Sequence, residues 1–216
     1  MTTVVNGGTI ERHGAAVNWG VAGSPMAPES DSGDLCAVWT PMDGALIAVV
    51  DGSGHGAEAA AAAELARGVI DGHPRESPVA LILRCHERLR GTRGAAMTLA
   101  SLNLLDRTMT WLGIGNVDAV LCHTPPAIEE SPSAERVLLR PGVVGYRLPP
   151  RLKAEVLPLK HLDTLVIATD GVRPEFAEEC ALSGEPKVVA SRLLAQYGNQ
   201  RDDALVVVAR YQQSGE

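Results

Sequence analysis

Apolar positions along this chain fall into short runs, each closed by turn-forming residues. The sharpest is LIAVVDG at 46–52, where five apolar residues lead straight into Asp51 and Gly52. Similar runs cover Leu35–Thr40, Ala45–Val50, Ala95–Leu105, Thr108–Ile114, Val117–Cys122, Thr164–Thr169 and Ala204–Arg210. Their close spacing, with PMDG, LDRT and GN as turns, predicts antiparallel hairpins rather than parallel strands joined by crossover helices. Three stretches carry helical signals instead. Ala57–Ile70 is alanine-rich and is followed by Gly72. Ser77 is an N-cap candidate, with Pro78 at the first helical position of a helix reaching about Arg90. Pro186 opens a third helix, apolar at Val188, Val189, Leu193 and Leu194, that stops at Gly198. Segments 123–136 and 173–185 show neither period and read as irregular. No repeat, linker or heptad breaks the chain, so residues 1–216 read as a single α+β layered domain.

Composition narrows this. A chain of 216 residues can bury roughly 70% of its unfolded surface, enough for one sizeable core. With 45% hydrophobic residues but only one Phe, three Trp and three Tyr, that core must be aliphatic. Net charge is −7 without a basic block, which argues against nucleic acid as a partner. No apolar run approaches the ~20 residues of a membrane span, and the first residues lack a signal-peptide pattern. Cys36, Cys85, Cys122 and Cys180 are widely spaced with no C-x-x-C pair, so they read as reduced thiols of a cytoplasmic protein.

The carboxylates carry the chemistry. Asp51 and Asp170 each end an apolar run and are each followed by glycine; Asp34 and the pair Asp202–Asp203 each precede one. In an antiparallel pair the start of one strand lies beside the end of its partner. A 35–40/45–50 hairpin therefore places Asp34 beside Asp51, and pairing of 164–169 with 204–210 places Asp170 beside Asp202. Two acidic pairs on one rim would repel and raise each other's pKa. Hard divalent cations relieve that repulsion, and an oxygen-only donor set selects Mg²⁺ or Mn²⁺ over zinc. Gly52 would let its backbone carbonyl turn toward such an ion. Asp31, Asp43, Asp71, Asp106 and Asp163 read as ordinary turn residues, and His55 as a loop residue. There is no phosphate-binding G-x-x-x-x-G-K-[ST] loop, no Cys followed six positions later by Arg, no D-x-D after a strand, and no G-x-S-x-G. Metal-activated water remains the best nucleophile.

Four segments, VAGSPMAPESDSGD (21–34), VVDGSGHG (49–56), IATDGV (167–172) and DDALVVV (202–208), resemble in order and spacing the PPM/PP2C protein phosphatases. The small bacterial branch of sporulation and stressosome phosphatases, SpoIIE and RsbX, is the most similar. The resemblance covers roughly residues 15 to 211. It implies an αββα sandwich, two antiparallel sheets flanked by helices, with a two-ion Mn²⁺/Mg²⁺ site at one end. By the same resemblance Asp51 bridges both ions, the Gly52 carbonyl binds one, and Asp170 and Asp202 complete the other's shell. Asp34 acts through metal-bound water, and Asp203 is the alternative to Asp202 as ligand. GIGNVDAVL (113–121) departs from the pattern, with Asn116 where larger members have an aspartate for a third metal, so a third ion is in doubt. The resemblance also implies phosphorylated STAS-domain stressosome proteins as substrates. Two other readings stay open: a catalytically weak binding module that docks on a signalling complex, and a hydrolase of small phosphate esters. The acidic irregular segments 123–136 and 173–185 are candidates for docking a partner.

Overall fold

A computed structural model describes residues 4–26, 31–124, 133–180, 182–199 and 201–213. The apolar runs become strands of two antiparallel sheets. The first contains β1 (Val4–Arg12), β2 (Ala15–Ser24), β7 (Asp118–His123), β8 (Ser133–Arg136), β10 (Thr164–Ala168) and β11 (Ala204–Gln213), in the order β1-β2-β11-β10-β7-β8. The second runs β3 (Asp34–Trp39), β4 (Gly44–Gly52), β5 (Ala95–Asn103), β6 (Thr108–Ile114) and β9 (Glu155–Pro158). Helices α1 (Ala57–Gly72) and α2 (Pro78–Arg88) cover the outer face of the second sheet. Helix α3 (Pro186–Tyr197) and a 3-10 turn at Pro174–Glu178 cover that of the first.

Alternation along β4 shows why its apolar run is unbroken. Ile47 and Val49 point into the layer between the sheets, while Leu46, Ala48 and Val50 pack against the helices. A strand buried on both faces has no position left for a polar residue. The facing stripe of α1 is Ala59, Ala62, Ala63, Ala66 and Ile70, spaced for one helical face and small enough for close approach to the sheet. At α2, the Ser77 hydroxyl accepts from the Ala80 N–H at 3.3 Å and Pro78 occupies the first turn, as the sequence predicts.

The structure differs from the sequence reading at several places. The β1–β2 hairpin escapes it because β1 lies at a sheet edge and residues 6–9, Asn-Gly-Gly-Thr, are exposed, so no alternation shows. Its turn is His13–Gly14, both at positive φ (52° and 69°), which a tight two-residue hairpin needs. Strands β8 and β9 are also unforeseen, being short and half exposed or more. Of segment 123–136, residues 125–132 lie outside the described residues. Segment 173–185 is irregular as expected apart from the 3-10 turn, yet its described residues are anchored: Phe176 is 1% exposed, and Glu179 binds Arg192 and Tyr197. Asp71 lies in α1, not a turn, and accepts from Trp39 Nε1 at 2.6 Å.

Cysteine usage needs correction. Cys122 on β7 and Cys180 beyond the 3-10 turn form a disulfide, with Cα atoms 5.4 Å apart, while Cys36 and Cys85 are free. Partners 58 residues apart cannot be paired from spacing alone. With this disulfide present, the four cysteines are not all reduced thiols and do not indicate a reducing compartment. Among the described residues no helix is long and apolar enough to cross a membrane.

Helix α3 lies hard against β2. A Cβ on Gly20 would sit 2.2 Å from the Lys187 backbone nitrogen, so only glycine admits the helix there. Gly20→Ala should destabilise the fold by about 1–3 kcal/mol through forced overpacking. Urea unfolding followed by circular dichroism checks this, and an unchanged midpoint would contradict it.

Candidate functional site

The β3–β4 register places Asp34 directly opposite Asp51. The β10–β11 register pairs Ala168 with Val206, so Thr169–Asp170 leaves one strand where Asp202–Asp203 enters the other. Each pair belongs to a different sheet; two hydrogen bonds tie the sheets together at this rim, from Thr169 to Asp34 and from Gly33 to Asp203, and a third, from Met26, holds Asp203 within its own sheet. The Thr169 hydroxyl donates to Asp34 Oδ2 at 2.6 Å; the Gly33 N–H donates to Asp203 Oδ2, and the Met26 N–H to Asp203 Oδ1, both at 2.7 Å. Asn116, just beyond β6, donates its side-chain amide to Asp170 Oδ2 at 2.5 Å. Asp202 Oδ1 accepts from the Asp203 N–H at 2.9 Å.

Glycines make the approach possible. A Cβ on Gly52 would lie 2.0 Å from the Ala59 carbonyl oxygen, and one on Gly171 1.9 Å from that of Asp203. Gly52 is not in the left-handed region, so close packing of α1, rather than unusual torsion, demands a glycine after Asp51. Gly54 and Gly56 do take positive φ (94° and 75°) and carry the chain into the helix.

Of the five carboxylates, Asp34 and Asp51 feel charges from the other sheet, and Asp170 feels that of Asp202. Burial and then the charges of Asp170, Asp202 and Asp203 push Asp51 up to about 7. Asp34 is raised well above the usual range, mostly by burial and next by Asp51, against the Thr169 hydrogen bond. Asp170 is raised by burial and by Asp202, with the Asn116 bond opposing. Among the described residues no salt bridge involves any of the five. Nor do three acidic, histidine or cysteine side chains converge into a closed metal cage. The carboxylates form an open acidic rim, with Asp34, Asp170, Asp202 and Asp203 each turned partly toward a hydrogen-bond partner. A groove of about 510 Å³ beside it is lined by Ser24, Asp31, Ser32, Asp34 and Leu205.

The rim gathers every site residue expected from sequence: Asp34, Asp51, Gly52, Asp170, Asp202 and Asp203. Thr169, the partner of Asp34, joins them and is not expected from the sequence. No local signal marks this role: a threonine in a strand run reads as strand propensity, and Asp34 lies 135 residues away.

Helices outside two stacked antiparallel sheets, with the acidic rim at one end, define a PP2C-like fold. The comparisons agree. The family model described as Stage II sporulation protein E (SpoIIE) matches residues 41–212. The phosphoserine phosphatase RsbX of Bacillus subtilis (strain 168) is 25% identical over 165 residues, covering 76% of this chain and 78% of the relative. A chain from a solved structure of the bacterial stressosome superposes with a TM-score of 0.78 at 27% identity, over 90% of this chain and 99% of that one. A crystal structure of RsbX in complex with magnesium superposes with a TM-score of 0.79 at 20% identity, over 96% and 100% of the two chains. The chain belongs to the SpoIIE family of PP2C-type protein serine/threonine phosphatases.

The raised carboxyls fix a pH dependence for the metal-free protein. A group whose folded pKa exceeds its unfolded value stabilises the fold below the unfolded value, near 3.8 for Asp51, and loses that contribution as pH rises through about 7. In chelator, the wild type should lose stability between about pH 4 and pH 7 relative to Asp51→Asn. Melting temperatures of the two across that range test this; parallel curves would contradict it.

Proposed function

We propose that this chain, with residues 1–216 as one catalytic domain, uses Mn²⁺ or Mg²⁺ to dephosphorylate phosphoserine or phosphothreonine in STAS-domain stressosome proteins, in the cytoplasm. The observation that carries the metal requirement is the rim itself: carboxylates from two sheets, mutually repelling, with no ion pair among the described residues to offset them. What supports the substrate class is the similarity to RsbX and to the stressosome chain.

The donor set fits hard divalent ions, being made of carboxylate and carbonyl oxygen. Asp51, the Gly52 carbonyl, Asp170 and Asp202 would hold two ions. Asp203 stands beside them with both oxygens already accepting backbone N–H groups. Asn116 offers Asp170 an amide N–H where a third ion would need an anion, so a third ion is left out of this reading. Bound ions would polarise the phosphoryl oxygens and supply positive charge. The chain's own part is to place that charge on rigid strand ends and to take a proton. Asp34 Oδ1 makes no hydrogen bond among the described residues and would accept the proton of the attacking water. The adjoining groove gives the phosphorylated segment a place to lie.

Segment 173–185 is a poor place to test docking by deletion. Removing it would strip Phe176 and the Cys122–Cys180 link from the layer under α3 and damage the fold. A second reading, a docking module with weak turnover, draws on the open arrangement of the carboxylates.

Phosphate release from a phosphorylated STAS-domain protein decides among these. Mn²⁺ or Mg²⁺ should support turnover, Ca²⁺ poorly, and chelation should abolish it reversibly. Asp51→Asn should lose at least about 100-fold in kcat. Binding without turnover would favour the docking module. Free phosphoserine cleaved as efficiently as the phosphoprotein would favour a small-ester hydrolase. Full activity after exhaustive chelation would overturn the metal requirement.

A further inference from the structure

Asp34 belongs to one sheet, where the Ser32 hydroxyl accepts its N–H, yet two further groups that fix it come from the other sheet. The Gly33 N–H, one residue before it, is held by Asp203, whose residue is 4% exposed. That bond fixes the backbone entering β3 and leaves side-chain rotation as the freedom of Asp34. The Thr169 hydroxyl removes it, donating to Oδ2 at 2.6 Å.

The direction of that bond is set by Thr169's other neighbours. The Leu205 N–H donates to the same hydroxyl oxygen at 2.9 Å, so the hydroxyl proton must point elsewhere. Its alternatives are the Leu205 carbonyl at 3.5 Å and Asp34 at 2.6 Å; the shorter bond wins. Thr169 is 1% exposed, so solvent scarcely competes for the proton. The Thr169 backbone is itself tied to Leu205, its N–H donating to that carbonyl at 3.1 Å. The hydroxyl is therefore a rigid donor aimed across the gap between the sheets.

We infer that Thr169 is a positioning residue: it locks Asp34 through Oδ2 and leaves Oδ1 as the working oxygen. This rests on the role proposed for Asp34. It assigns a function to the threonine of IATDGV separate from its strand propensity. A valine there would keep shape and burial and remove the donor.

The test is steady-state hydrolysis of an aryl phosphate in saturating Mn²⁺ by wild type, Thr169→Val, Thr169→Ser, Asp34→Asn and the Thr169→Val/Asp34→Asn double variant. Thr169→Val should lower kcat about tenfold with KM within about twofold, as expected when an otherwise intact group is misplaced. Thr169→Ser keeps the hydroxyl and should stay within about threefold of wild type. In the Asp34→Asn background the valine should cost little more, because its effect runs through Asp34. Should Thr169→Val fail to fold, Thr169→Ala leaves room for a water on the Leu205 N–H and carries the same comparison. Wild-type kcat in Thr169→Val while Asp34→Asn is impaired overturns this inference alone. So does a serine variant as slow as the valine one, or an equal loss in both backgrounds. Wild-type kcat in Asp34→Asn overturns the role of Asp34 itself, and the positioning with it.

Discussion

Repulsion among carboxylates drawn from two sheets governs the architecture around them. Like charges in a partly buried place push one another toward protonation, and Asp51, raised to about 7, shows how strongly. Left to themselves such groups would rotate into solvent. The fold prevents that by building each onto a strand end and by lacing the two sheets together where they meet. The Thr169 hydroxyl and the Asp203 Oδ2 atom make those cross-sheet bonds, and each hydrogen bond to a charged group contributes about 1.5–3 kcal/mol. An arrangement that holds anions together in the absence of a cation is prepared to receive one.

The layers supply the rigidity that this requires. Both faces of β4 are buried, one against the other sheet and one against α1 and α2, so Asp51 is carried on one of the stiffest elements of the molecule. Helix α1 comes so close at Gly52 that no side chain fits between them, and Gly171 repeats the device where Asp170 meets β11. Beyond Asp170 the chain turns through the 3-10 segment, buries Phe176 and is stapled to β7 by the Cys122–Cys180 bond. The segment that leaves the rim is therefore as firmly placed as the strands that enter it.

How much of this could be read in the sequence follows from what each residue faces. Doubly buried strands write themselves as unbroken apolar runs, so β4, β5, β6, β10 and β11 are legible, and antiparallel geometry then puts Asp34 opposite Asp51. Edge strands obey weaker rules. β1, with Asn6, Gly7 and Gly8 in the open, carries almost no apolar signal, and its position depends on pairing with β2. Long-range partners leave no local trace at all. Nothing near Cys122 points to Cys180, and nothing near Thr169 points to Asp34, 135 residues away. The carboxylates could be found because they end and begin strands; the hydroxyl that orients one of them could not.

Binding of Mn²⁺ to the isolated protein, followed by calorimetry and by melting temperature, tests the central claim most directly. A saturable Mn²⁺ complex should form in the wild type and stabilise it by about 2.7 kcal/mol when the free ion stands at a hundred times Kd. Asp51→Asn should lose most of that binding while the metal-free variant melts no lower than the wild type, since it carries one fewer repelling charge. Wild-type affinity for Mn²⁺ in Asp51→Asn, or no binding by the wild type, would contradict the account.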